Sequence, residues 1–243
     1  PDLGRAIGSR ATLRLERHAD APFVFRGILA AVDLVAQTPE WALYRAALVP
    51  ALWRLGLGQR SRVFTKMALP DIVREVLEVG GLAGSDYELR LDRSYTPEEL
   101  VVQYQESDLD FLHRWLEHEG LYYFFDHEGD REKLILVDHR SFHAPSSEEP
   151  VRYLPTASHD TSAGPCFDAF TVRHRTIASR VRVRDYDYGR PALDVSAQQD
   201  ASPRGHGELS LHAARFFDPG EARRFAQLRA EQLGASEVTV QAG

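Results

Sequence analysis

Ten histidines are the first candidates for chemistry, because a neutral imidazole is a common metal ligand. His113 and His118 lie five apart on a predicted helix, which puts them about 140° apart around its axis, so they do not share a metal-binding face. His139 and His143 converge only if the segment between them curls back. Structural or solvent-facing histidines are therefore expected, with no metal and no cofactor. Glu106, Asp108, Asp110, Glu117 and Glu119 could supply the two carboxylates of a glycosidase, but spacing in sequence does not fix a separation in space. Helix capping accounts for Asp108 and Asp110 without catalysis. No Gly-x-Ser-x-Gly elbow, phosphate loop or dinucleotide-binding glycine pattern occurs. The single cysteine, Cys166, follows Gly164-Pro165 with no activating neighbour and cannot form an intrachain disulfide. The run Tyr122 to Phe125 alternates its rings between two faces of a strand, so burial on both faces is the expectation. Trp41, Trp53 and Trp115 suit a core or a subunit contact better than a sugar platform. No residue is assigned a catalytic, cofactor-binding or metal-binding role.

The elements that carry these residues are legible in part. Residues 11–15 and 23–36, the turn residues Thr38-Pro39-Glu40, and the run Trp41 to Val49 predict a β meander. Pro70 suits a first helical turn, Ile72, Val73, Val76 and Leu77 recur at helical spacing, and Gly80-Gly81 stops the helix. From Val101 to Asp138 the pattern is strand, helix, hairpin: Val102 and Tyr104 alternate, Ser107 caps, Phe111, Leu112, Trp115 and Leu116 form one apolar face, and Gly120 terminates. Ser141 to Pro165, interrupted by four prolines, predicts a long connection with one short strand. Phe170 to Arg175 and Ala178 to Asp185 are strand-like, residues 189–207 predict a mobile loop, and Asp218-Pro219-Gly220-Glu221 opens a last helix carrying Ala222, Phe225, Ala226 and Leu228 to a stop at Gly234.

At 243 residues, 43% hydrophobic and 27% charged, the chain can bury a sizeable core. Its net charge of -7 disfavours a surface that tracks phosphates, so no nucleic-acid partner is expected. Nearly all cations are arginines, Lys66 and Lys133 being the two lysines. Asp33, Arg45 and Pro50 interrupt the apolar runs well short of a membrane span, so stable membrane insertion is not expected. The first residue is Pro1 and the end, SEVTVQAG, is β-like, which predicts a piece of something longer. The fold class is α+β, predominantly β.

Gln103-Tyr104-Gln105-Glu106-Ser107-Asp108, Phe111, Leu116-Glu117-His118-Glu119-Gly120 and Leu121-Tyr122-Tyr123-Phe124-Phe125 together resemble the most recognisable stretch of VgrG proteins. Pro50-Ala51-Leu52-Trp53, then Ser61-Arg62-Val63-Phe64 leading to Pro70-Asp71-Ile72-Val73, and Asp185-Tyr186-Asp187-Tyr188 extend the likeness in family order. It covers nearly the whole chain and corresponds to most of the hub module shared with contractile phage tails. Arg26-Gly27 departs from the family's more frequent His-Gly. The likeness implies two β-barrel-like tube domains with a strand-helix-hairpin insertion: residues 1–69 as part of the first barrel, 70–140 as the helix and strand-helix-hairpin region, and 141–243 as the second barrel with the loop near 189–207. It implies a homotrimer in the full-length protein, presenting a pseudo-sixfold ring to the Hcp tube. Effector or adaptor proteins and a tip protein on a needle beyond this chain are further implied partners. The start of the hub module and the small oligonucleotide/oligosaccharide-fold barrel are expected to lie outside it. The implied role is structural and not enzymatic: a spike-hub component of a type VI contractile injection machine, assembled in the bacterial cytoplasm and then secreted or injected. The competing class is a hydrolase or effector enzyme, which requires an acid, a base and a nucleophile converging in a cleft.

Overall fold

The computed structural model describes residues 3–16, 21–143, 152–154, 166–212 and 215–242. Two compact units divide the chain, residues 1–144 and 145–243.

In the first unit a short helix, α1 (Leu3–Ala6), precedes the predicted meander of β1 (Arg10–Leu15), β2 (Phe23–Gln37) and β3 (Ala42–Val49). These form one antiparallel sheet in chain order. The turn between β2 and β3 is closed by Thr38, whose hydroxyl accepts from the amides of Glu40 and Trp41, each at 3.2 Å. A 3₁₀ turn (Ala51–Gly56) leads to β4 (Arg60–Phe64), helix α2 (Leu69–Val79), β5 (Tyr87–Arg90), β6 (Val101–Glu106), helix α3 (Asp108–Glu119) and the hairpin β7 (Tyr122–Asp126) and β8 (Lys133–Val137). Strand β4 pairs antiparallel with β6. Strand β5, which the sequence pattern did not announce, runs parallel to β8. The apolar stripe of α2 is fully buried at Ile72, Val73, Val76 and Leu77 and shares a core with Phe111, Leu112, Trp115 and Leu116 of α3 and Leu134 and Leu136 of β8.

In the second unit β9 (Arg152–Tyr153) and β10 (Cys166–Phe167) make a short parallel pair, followed by β11 (Phe170–His174), β12 (Arg180–Asp185), β13 (Val195–Asp200), β14 (Glu208–His212), helix α4 (Pro219–Ala235) and β15 (Val238–Ala242). The sheet β13-β12-β14 turns Val181, Val183 and Val195 inward to meet Ala222, Phe225, Ala226 and Ala230 of α4. Strand β11 pairs antiparallel with β15 as a separate ribbon.

Three expectations need correction. The loop expected over residues 189–207 contains β13, because Ser196, Gln198 and Asp200 sit on the solvent side of a sheet while Val195 enters the core. Helix α4 runs through Gly234 to Ala235 and buries Ala230 more deeply than Leu228. Tyr122 is exposed instead of buried, with its ring stacked on His143. Most of the Ser141 to Pro165 connection lies outside the described residues. The fold is mostly β with open sheets of two or three strands among the described residues.

Candidate functional site

The candidate chemical groups are dispersed and occupied. His113 shares a 2.8 Å hydrogen bond with the Tyr123 hydroxyl, His118 contacts Glu119 at 3.1 Å, His139 bonds the Ser141 hydroxyl and His143 the Tyr122 hydroxyl. No group of three His, Cys, Asp or Glu side chains among the described residues is placed to hold a metal. Glu106 pairs with Arg114 at 2.6 Å, and Glu119 with Arg93 at 3.1 Å.

Asp108 behaves differently from the solvated cap the sequence suggests. Its residue is 2% exposed, and Oδ1 accepts from Arg62 at 2.6 Å and from the Gln103 amide at 2.9 Å, while Oδ2 faces Arg60 at 3.3 Å. Gln103, fully buried, returns its oxygen to Arg62 Nε at 2.9 Å and gives Nε2 also to the Glu106 carbonyl. Ser107 remains the cap of α3, accepting from the Asp110 amide at 3.0 Å. A bulge makes this possible: β6 inserts an extra residue where Arg60 opposes Glu106 and Arg62 opposes Gln103, and Gln105 takes a left-handed φ of 48°. The quoted Gln103–Asp108 stretch is therefore a structural joint holding β4, β6 and α3. The bulge and the arginine partners left no periodic signal in sequence.

What the described surface offers instead is apolar sheet. Strand register puts Leu13 opposite Phe25 and Leu34 opposite Tyr44. Followed through the bulges of β2, that register sets Leu13, Leu15, Phe25, Leu29, Val32, Leu34 and Tyr44 on one face, whereas the other mixes Thr12, Arg14, Arg26, Asp33 and Arg45 with Val24, Leu43, Val49 and the buried Ile28. The apolar face stays uncovered: Leu13 and Leu15 are 47% exposed and Leu34 43%. The ribbon β11-β15 repeats the arrangement in the second unit, with Phe170, Val172, Val238 and Val240 on one face, all exposed. Such faces mark surfaces that another molecule covers.

The family model described as "Phage tail baseplate hub (GPD)" matches residues 1–243. The chain belongs to this hub family. Among curated relatives, the type VI secretion system spike protein VgrG1b of Pseudomonas aeruginosa is 31% identical over 97% of this chain and 32% of its own length. The actin cross-linking toxin VgrG1 of Vibrio cholerae is 35% identical over 93% of this chain and 21% of its own length. The chain thus spans a third or less of either relative. The structure of a tail protein from Neisseria meningitidis superposes with a TM-score of 0.64 at 12% identity, covering 100% of this chain and 68% of that one, which shows a shared fold. The VgrG resemblance drawn from the motifs is thereby borne out.

Within this hub chain, Gly27 is explained by close approach: a Cβ there would stand 2.4 Å from the Val49 carbonyl oxygen. Arg26, beside it, donates its backbone amide to His127 Nδ1 at 3.1 Å and its guanidinium to the His127 carbonyl. Burial, reinforced by the Arg26 charge, pushes the His127 pKa below its ordinary value. Burial also pushes the Glu132 carboxyl up, although the Ala51 amide donates to it.

Proposed function

We propose that this chain is the structural hub of a type VI contractile injection machine and works by assembly. One observation carries the proposal: each unit presents an antiparallel sheet or ribbon with an apolar face left uncovered. A sheet with an apolar face requires a partner layer, and a closed symmetric ring supplies identical partner layers without leaving edges available for aggregation. In this proposal three copies of the full-length protein close the open sheets into tube-like barrels. Residues 1–69 contribute to the first barrel and 141–243 to the second, with the 70–140 strand-helix-hairpin region inserted between them. The pseudo-sixfold ring then seats on the Hcp tube. Effector or adaptor proteins are further partners, and a tip protein attaches to a needle beyond this chain. Assembly takes place in the bacterial cytoplasm and ends in secretion or injection. No described helix is long and apolar enough to cross a membrane.

In this proposal the module is not an enzyme. Any toxin activity of the kind in the Vibrio cholerae relative's name would belong to another part of a parent chain. Sedimentation velocity of the full-length parent tests the assembly. A trimer is expected, with the 243-residue chain tending to monomer because the needle contributes to trimerisation. A monomeric parent at micromolar concentration would defeat the proposal.

A further inference from the structure

The solvent face of the sheet β13-β12-β14 carries a row of arginines. Arg180, Arg182 and Arg184 alternate with the buried Val181 and Val183, so all three guanidinium groups project from one side of the central strand. Their cross-strand neighbours are graded. Arg180 stands between Asp200 and Glu208, Arg182 between Gln198 and Ser210, and Arg184 between Ser196 and His212. Arg182 reaches Glu208 at 3.5 Å and Gln198 at 3.4 Å, both long contacts, and its side chain remains 52% exposed. Arg184 is exposed, with no carboxylate within 4 Å among the described residues. Arg182 and Arg184 border a groove of about 740 Å³ lined also by Asp185, Tyr186, Pro191, Leu193 and Asp194. That volume lies in the range of ligand sites. Of the acids nearby, Asp185 is committed to the amides of Tyr186, Arg215 and Phe216, and Asp187 to Arg190. Asp194, Asp185 and the Glu208 carboxylate beside Arg182 oppose an anion in the groove, so Arg184 is the guanidinium left to anchor one.

We propose that this groove binds an extended acidic peptide segment of a partner protein, carrying Asp or Glu at alternate positions. The arginines repeat every second residue, about 6.6 Å along the strand, and an extended peptide presents alternate side chains at that same spacing. Each guanidinium is a planar fork that matches a carboxylate through two hydrogen bonds, a match a lysine point charge does not make. The chain's net charge of -7 opposes peptide and phosphate polyanions alike, so the choice of a peptide rests on the strand-matched spacing of its alternate side chains. The site is separate from the apolar assembly faces, and its test does not depend on trimerisation.

The test is fluorescence anisotropy of the whole chain at low salt with two labelled hexapeptides of equal composition, Glu-Thr-Glu-Thr-Glu-Thr and Glu-Glu-Glu-Thr-Thr-Thr. The alternating peptide is expected to bind at least fivefold more tightly. Arg184→Glu should weaken it tenfold or more, and Arg184→Lys to an intermediate degree, at an unchanged thermal midpoint. Equal affinity for the two peptides, tighter binding of a hexathymidylate, or an Arg184→Glu effect on self-association alone would each overturn the proposal. If Arg184→Glu shifts the midpoint, Arg182→Gln gives the same discrimination on a neighbouring residue.

Discussion

Asp108 sets the largest expected effect of any single side chain. Removing one member of a buried ion pair leaves the remaining charges desolvated, at a cost of about 3 kcal/mol when the partners are partly solvent-accessible, and the Arg62 side chain is 18% exposed and that of Arg60 44%. Asp108→Ala should therefore lower the denaturant midpoint by an amount equivalent to about 3 kcal/mol, and Arg62→Ala in the Asp108→Ala background should cost far less than it does alone. Equal costs in both backgrounds would show that the pair does not couple. His127 makes a pH prediction. Because its folded pKa is depressed, the neutral ring stabilises the fold above the ordinary value near 6.5, and that stability is lost as pH falls below it. Its surroundings include the cation Arg26, the carboxylate Asp126 and the Phe25 ring. Glu132 acts oppositely: with its pKa raised from 4.5, its contribution is present below that value and is lost as pH rises through the folded one. Urea unfolding at pH 7 and pH 5 should show wild type losing more stability on acidification than His127→Gln, and Glu132→Gln should enlarge the acid loss. Neither group was visible as special in sequence, since its environment comes from Arg26 and Ala51, 101 and 81 residues away.

The elements best read from sequence are those whose ends are written in side chains. Helix α3 begins at Ser107, whose hydroxyl caps it, and ends at Gly120 with φ 77°, so both boundaries were fixed by local chemistry. Ser107→Ala should cost about 1 kcal/mol, visible as a lower thermal midpoint, and because Ser107 is buried, an unchanged midpoint would mean that the cap is not needed. Strand β13 shows the reverse. VSAQQD has one residue that is apolar and fully buried, and its pairing with β12 overrides a loop-like composition. The parallel pairings of β5 with β8 and of β14 with β12 were equally illegible, because partner choice between distant strands leaves no local mark. Where two elements meet, Gly27→Ala is the sharpest test. The added methyl would collide with the backbone of β3 at Val49, so β2 and β3 must separate, at about 3 kcal/mol. Circular dichroism melts would detect that loss, whereas a small change would show that the sheet can slide.

At the scale of the molecule, the uncovered faces separate assembly from folding. A large apolar side chain that is about half exposed in the single chain contributes only part of its burial energy, so Leu13→Asp or Val240→Asp should cost the chain's own unfolding free energy about 1 kcal/mol, through strand propensity and the pairs with Phe25 and Val172. In a ring that covers those faces, the same substitutions bury a carboxylate in an apolar contact and weaken each interface by about 2–3 kcal/mol. Sedimentation equilibrium of the full-length parent carrying either substitution should therefore show a trimer that dissociates at higher protein concentration than wild type, while the thermal midpoint of the isolated chain falls by only about 2–4 °C. Loss of the midpoint together with the trimer would place these residues in the fold's own core and not at a subunit contact. A trimer whose dissociation neither substitution shifts would assign subunit contact to some other surface, and the apolar faces would then need a different partner.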